Sequence, residues 1–198
     1  KVFAGIVIAP IGGLIVGLLL TGLIITVFAN RKPAPVNKTF GRLQIISSAW
    51  FALTHGANDG QKTMGIIALI LFSSGMIPEL DIPVWVIFAA AAAMGLGTFF
   101  GGYKVIKTLG VKITRLKPYQ GFAAETGGGI MLAAFAVLGI PASTTHAITG
   151  TIMGSGAARR KRAVRWNVSR QIVFSWIITI PGAAGLGIGF TYLIHLFV

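Results

Sequence analysis

Two short polar segments interrupt parts of this sequence that are otherwise apolar. Residues 55–63 include Asn58, Asp59 and Lys62, and residues 141–146 hold a proline, three hydroxyl side chains and a histidine. An ionisable group at the depth of a lipid bilayer is costly, and it therefore indicates a functional site by default. Transporters place such groups where apolar helices are interrupted near the bilayer midplane. The two segments together predict a carrier site.

The second polar segment has the chemistry of an oxyanion site. Pro141 suits the first turn of a helix, where a missing N–H costs little. Ser143, Thr144 and Thr145 would then place hydroxyls beside free backbone N–H groups at the positive end of a helix dipole. His146 adds a partner for an oxyanion or a proton. The alternative is an ordinary Ser or Thr helix cap.

The first polar segment has the chemistry of a cation site. Gly56 and Gly60 flank Asn58 and Asp59, so we predict that the helix unwinds here and exposes carbonyl oxygens. Asn58 and Asp59 would bind the coupling ion, or Asp59 would carry a proton. Lys62 follows three residues after Asp59, within reach on a helix. The alternative for these two charges is a buried structural ion pair.

Glu125 is the other carboxylate inside an apolar stretch. It precedes Thr126 and three glycines, which we interpret as another flexible polar turn. We predict that Glu125 either takes part in ion coupling or caps a helix. His55, like His146, is a candidate partner for a proton or an oxyanion.

Neither a cofactor nor a metal site is predicted. The sequence has no cysteine, and its three histidines lack the spacing of zinc ligands. The run from Gly56 to Thr63 looks like a phosphate-binding loop, but Gln61 separates the glycine from the lysine and the flanks are apolar spans.

The composition is that of a polytopic helical membrane protein, with 55% hydrophobic residues, 11% charged residues and 27 glycines. The net charge of +13 is concentrated in three linkers, 31–42, 104–117 and 159–170, which hold every Lys and Arg except Lys1 and Lys62. Basic linkers that alternate with a non-basic one indicate the cytoplasmic side of a membrane. A nucleic-acid-binding face would be continuous and interleaved with aromatic residues, so nucleic acid is excluded as a partner.

The elements that must position the two polar segments are transmembrane helices. We predict six spans, at 2–29, 43–76, 84–103, 119–139, 141–158 and 171–197. The second is far longer than the ~20 residues that a span needs, which predicts two half-helices around the polar break. Residues 119–158 form either two spans or a re-entrant hairpin, and both leave their ends in the cytoplasm.

A short sequence pattern that occurs twice indicates an inverted repeat. The pattern Val-Phe-x-x-Ile-Val/Ile-x-x-Pro begins at Val2 and again at Val173, in spans that the charge pattern orients in opposite directions. We expect residues 1–30 to be the last span of a missing first repeat, 31–42 a cytoplasmic linker and 43–198 the second repeat. The predicted fold class is all-α: a transmembrane helical bundle with broken or re-entrant helices, half of an inverted-repeat secondary transporter.

Four pairs of glycines at Gly-x-x-x-Gly spacing predict close contacts between helices, because two small residues on one face let backbones approach. The pairs are Gly13/Gly17, Gly97/Gly101, Gly150/Gly154 and Gly185/Gly189.

The two polar segments at this separation resemble the signature of the inorganic phosphate transporter (PiT) family. That signature has a Gly-Ala-Asn-Asp element and a Pro-x-Ser-Thr-Thr-His element in each of two inverted repeats, which residues 56–59 and 141–146 match. Residues 124–126 and 164–166 also look like the shorter bacterial members. The resemblance covers roughly residues 43–198. It implies symport of phosphate with sodium or protons by a homodimer.

One departure from the family pattern concerns the coupling ion. Many members, especially the sodium-coupled ones, continue the aspartate element with Val, Ala and Asn, where this sequence has Gly60, Gln61 and Lys62. A fixed ammonium in place of a neutral amide disfavours a further cation by like-charge repulsion. We therefore predict proton coupling, with phosphate carried alone or, as bacterial relatives suggest, as a neutral complex with a divalent metal.

The sequence as a whole predicts a multi-pass symporter of inorganic phosphate in the cytoplasmic membrane, and not an enzyme. The alternatives within the family are a sodium-coupled phosphate symporter and a sulfate permease. A membrane-embedded phosphoryl-transfer enzyme is the alternative from another class, but the cytoplasmic linkers lack the carboxylates that it needs. A channel would favour a continuous polar stripe. The expected partners are phosphate, membrane lipid, the first repeat and a second copy.

Overall fold

The computed structural model describes residues 2–195, excluding the side chains of residues 2–4 and 161. Its six α-helices are α1 (Val2–Val27), α2 (Pro33–Ser73), α3 (Val84–Lys107), α4 (Pro118–Val137), α5 (Thr144–Arg159) and α6 (Trp166–His195). A π-helical segment, Thr108–Ile113, extends α3, and a single 3-10 turn, Lys161–Ala163, follows α5. No strand occurs between residues 2 and 195. The predicted all-α class is confirmed.

The chain divides into two compact units, Lys1–Val164 and Arg165–Val198. The described part of the second unit is the helix α6, which contains Pro181 and exposes most of its large apolar side chains. Three helical stretches are long and apolar enough to cross a bilayer: Gly5–Val27, Val84–Ile113 and Trp166–His195. Exposed apolar faces of this length need lipid around them.

The contact between α1 and α5 depends on glycine. The two helices run parallel, and an added Cβ on Gly150 or Gly154 would collide with the backbone of Pro10 or Leu14 in α1. The predicted close packing is thus confirmed for the pairs on α1 and α5. The other two pairs, on α3 and α6, have open space around them among the described residues.

The glycines after Glu125 do not form a flexible turn, as the sequence suggested, but lie in the middle of α4. They make room for the neighbouring helices. A Cβ on Gly128 would lie 3.1 Å from the ring of Phe51, and one on Gly129 would overlap the indole of Trp50. Because glycine has no side chain, Gly128 and Gly129 allow the aromatic residues of α2 to pack against α4.

The helix α2 is continuous, so the predicted break into two half-helices is wrong. It runs for 41 residues through both Gly56 and Gly60, a length of ~61 Å. Prolines occur only in its first turn, where they are tolerated, and glycine lowers helix propensity by only ~1 kcal/mol. Most of the expected linker 31–42 belongs to this helix. It ends before Gly75, whose φ of +74° suits a helix C-terminus.

The helices α4 and α5 form a hairpin whose tip consists of residues 138–143. The tip turns at Gly139, which has a φ of +59°, and it packs through Ala142 onto Ala9, Phe135 and Ala147. With 16 residues, α5 is ~24 Å long, shorter than the ~30 Å hydrocarbon core of a bilayer. This length favours the re-entrant hairpin over two complete spans.

Candidate substrate and ion site

The two polar segments meet in the structure. The Thr144 hydroxyl, at the start of α5, donates a hydrogen bond of 2.9 Å to Oδ2 of Asp59 in α2. Asp59 lies ~26 Å along the helix from Arg42 and ~21 Å from Ser73, near the centre of the apolar part of α2. The structure thus joins the predicted anion and cation segments in one place.

Lys62 connects Asp59 to the tip of the hairpin. Its Nζ donates to Oδ1 of Asp59 and to the carbonyl oxygen of Ala142, both at 2.9 Å. The ion pair that was the alternative for these two charges is present, but it is not buried, because the side chains are 43% and 31% exposed. The ammonium group therefore lies between a carboxylate and a carbonyl oxygen, which are the ligands that hard cations prefer.

His55 is the third neighbour of the Asp59 carboxylate. Its Nδ1 lies 3.6 Å from Oδ2 of Asp59, one helical turn away. The imidazole ring stacks on Phe51 with 5.8 Å between centroids and 13° between planes. Asp59 thus has an ammonium group, a hydroxyl and an imidazole around it.

The helix α5 begins at Thr144, so Pro141 does not occupy its first turn as predicted but lies three residues ahead of it. Ser143 is the N-cap, and its hydroxyl accepts a hydrogen bond of 3.4 Å from the backbone N–H of His146. The alternative of an ordinary cap therefore holds for Ser143, although its hydroxyl retains a proton to donate. Thr145 is exposed, and His146 lies against the backbone of Ile6.

An open cavity of about 260 Å³ adjoins this cluster. Asn58, which is only 8% exposed, contributes a polar wall together with Gln61 and Lys62. The remaining wall comes from the end of α4 and the hairpin tip: Phe135, Ala136, Gly139, Ile140 and Pro141. Gln61 was not predicted as a site residue, although its spacing from Asn58 places both amides on one helix face.

Glu125 is not part of the Asp59 cluster. It accepts hydrogen bonds from the Ser47 hydroxyl at 2.6 Å and from the Gln44 amide at 3.4 Å. Ser47 precedes Asp59 by 12 residues on the same continuous helix, a distance of ~18 Å. Because Glu125 lies in the middle of α4, the alternative of a helix cap is wrong. The structure places it in a separate polar contact between α2 and α4.

The chain matches a known protein family over most of its length. The sequence model described as the phosphate transporter family matches residues 26–187. The chain belongs to this family. It is 50% identical to a "Probable low-affinity inorganic phosphate transporter" of Rhizobium meliloti and 39% identical to a protein of the same description in Bacillus subtilis. The matches cover 93% and 94% of this chain, but only 55% and 56% of those relatives.

A solved structure, "The sodium-dependent phosphate transporter", shares the fold, with a TM-score of 0.66 and 27% identity. The match covers 90% of this chain and 53% of that one. This member of the phosphate transporter family therefore spans about half the length of these three relatives. Family membership confirms the resemblance seen in the motifs. It also confirms two predictions, that the chain is a membrane protein and that it belongs to a transporter family and not to an enzyme family.

Proposed function

We propose that this chain supplies one half of a phosphate symporter in the cytoplasmic membrane. The observation that carries the proposal is the contact between Asp59 and Thr144, because it unites a carboxylate with the positive end of α5. As proposed, residues 1–30 close a first repeat, and residues 43–198 form the second, inverted one. The basic linkers face the cytoplasm, and two copies form a dimer.

In this proposal phosphate binds at the start of α5. Ser143 and Thr145 donate hydrogen bonds from their hydroxyls there, beside free N–H groups at the positive end of the helix dipole. Thr144 does the same when its single hydroxyl proton leaves Asp59 for the phosphate. Asn58 and Lys62 reach the same place from the cavity on α2. His146 completes the set.

The double variant Thr144→Val/Thr145→Val is expected to bind phosphate more weakly. Valine keeps the shape of threonine and removes the donors, and each hydrogen bond lost to a charged group costs about 1–3 kcal/mol. Equilibrium binding of labelled phosphate measures the change. Thr63→Val, an exposed position one residue beyond Lys62, is the matched control. Equal affinity in the double variant and the control would exclude an anion site at α5.

Protons are the proposed coupling ion. Lys62 already places a cation against Asp59, which disfavours a second one, while Asp59 and His55 have groups that exchange protons. The substrate is then phosphate alone or its neutral complex with a divalent metal. Sodium coupling is the second candidate, because the structural relative is a sodium-dependent phosphate transporter.

The isolated chain is expected not to accumulate phosphate, because it carries only one half of the proposed site. Uptake of labelled phosphate into proteoliposomes tests this, with proton and sodium gradients imposed in turn. In the matched control, residues 1–198 replace the corresponding segment of the Rhizobium meliloti relative, and this hybrid is expected to transport. Gradient-driven uptake by the isolated chain would refute the inverted-repeat proposal. A hybrid that folds but does not transport phosphate would refute the proposed phosphate symport.

A further inference from the structure

The first unit gathers its positive charge at one end. The neighbouring helices α1 and α5 end at this end, and α2 and α4 begin there. Phe28, just after α1, contacts Phe40 in α2, which contacts Phe122 in α4, with ring centroids 5.4 and 5.3 Å apart. Gln120 in α4 donates a hydrogen bond of 2.8 Å to the carbonyl oxygen of Ser155 in α5. Segments that are distant in sequence are thus adjacent in space.

These segments carry an unpaired set of cations, which we call the basic end. Its members are Arg31, Lys32, Arg42, Arg115, Arg159 and Arg160, and all six are exposed. The chain has only four carboxylates, and the ion pairs of the described residues involve Asp59 alone. Glu79 and Asp81 follow α2 at its opposite end. Glu125 is bonded to Ser47 and Gln44, so no carboxylate among the described residues pairs with the basic end.

Exposed apolar and aromatic side chains adjoin these cations. Val27 at the end of α1 is 64% exposed and Tyr103 near the end of α3 is 74% exposed. Val27 lies four residues before Arg31, and Tyr103 directly precedes Lys104. Apolar and aromatic side chains followed closely by Arg or Lys are typical of the level where acyl chains meet headgroups. Juxtamembrane clusters of this kind attract anionic lipids.

We propose that the basic end binds the headgroups of anionic phospholipids. The guanidinium groups of Arg115, Arg159 and Arg160 suit phosphodiesters because their planar donors match phosphate oxygens. A nucleic acid or an acidic protein would bind only the charged groups, whereas a lipid also covers the adjoining apolar side chains. The occupant is therefore a lipid of the surrounding membrane.

The test compares lipid binding by the chain in non-ionic detergent, measured by native mass spectrometry. Phosphatidylglycerol is expected to bind at least about a hundredfold more tightly than phosphatidylcholine. Arg115→Gln/Arg159→Gln/Arg160→Gln should weaken phosphatidylglycerol binding by about fivefold per cation, on the order of a hundredfold in all. The matched variant with lysine at the same three positions keeps the charge and should retain the preference.

Three results would overturn the proposal. The first is equal binding of the two lipids, and the second is an undiminished preference in the folded glutamine variant. The third is displacement of phosphatidylglycerol by millimolar inorganic phosphate, which would assign the basic end to free phosphate instead. Circular dichroism of the variants verifies that they are folded.

Discussion

Lys62→Asn is expected to make phosphate uptake respond to sodium. In the native chain the Lys62 ammonium lies 2.9 Å from both Asp59 and the Ala142 carbonyl oxygen. Asparagine removes that charge and leaves two oxygen ligands without a cation, which is the environment that a hard cation fills. We expect sodium to raise uptake about tenfold in the variant, equivalent to a coupling free energy of ~1.4 kcal/mol.

The measurement is phosphate uptake by the hybrid transporter at fixed pH, with sodium replaced by choline, and then under a proton gradient without sodium. Uptake by the native hybrid should increase with the proton gradient and should not change when choline replaces sodium. Lys62→Arg is the matched control, because it keeps the charge and should stay independent of sodium. Strict sodium dependence of the native hybrid, no response to protons and little change in Lys62→Asn would overturn proton coupling.

The meeting of the two polar segments was predictable from the sequence because an anion site and a cation site that lie apart in the membrane could not couple their ligands. Residue type and spacing also placed Lys62 within reach of Asp59, since a separation of three residues places both on one helix face. The position of Lys62 follows from local helix geometry alone, whereas the meeting of the segments follows from the coupling that a carrier requires.

The continuity of α2 was not predictable, because glycine in an apolar helix permits unwinding without requiring it. Asp59 and Lys62 contact Thr144 and Ala142 from a regular helix, so the charges obtain partners without exposed carbonyls. The position of Glu125 was missed for a related reason. Hydropathy does not show that Ser47 and Gln44, which precede Glu125 by 78 and 81 residues, are its hydrogen-bond partners.

Gly150→Ala/Gly154→Ala is expected to destabilise the first unit by about 3 kcal/mol or more. Each new methyl group would collide with the α1 backbone near Pro10 or Leu14, and backbone atoms cannot move aside as a flexible side chain can. The two parallel helices must therefore separate along their contact. Thermal unfolding in detergent micelles, followed by circular dichroism, measures the loss.

The matched control is Gly97→Ala/Gly101→Ala, the same change at the same spacing on α3, where the described residues leave open space. Alanine favours a helix over glycine by ~1 kcal/mol per residue, so this variant should be as stable as the native chain or more so. Similar melting temperatures for the two double variants would contradict the close packing of α1 and α5. Because α5 carries Thr144 to Asp59, its displacement should also weaken phosphate binding, an effect that the control on α3 should not produce.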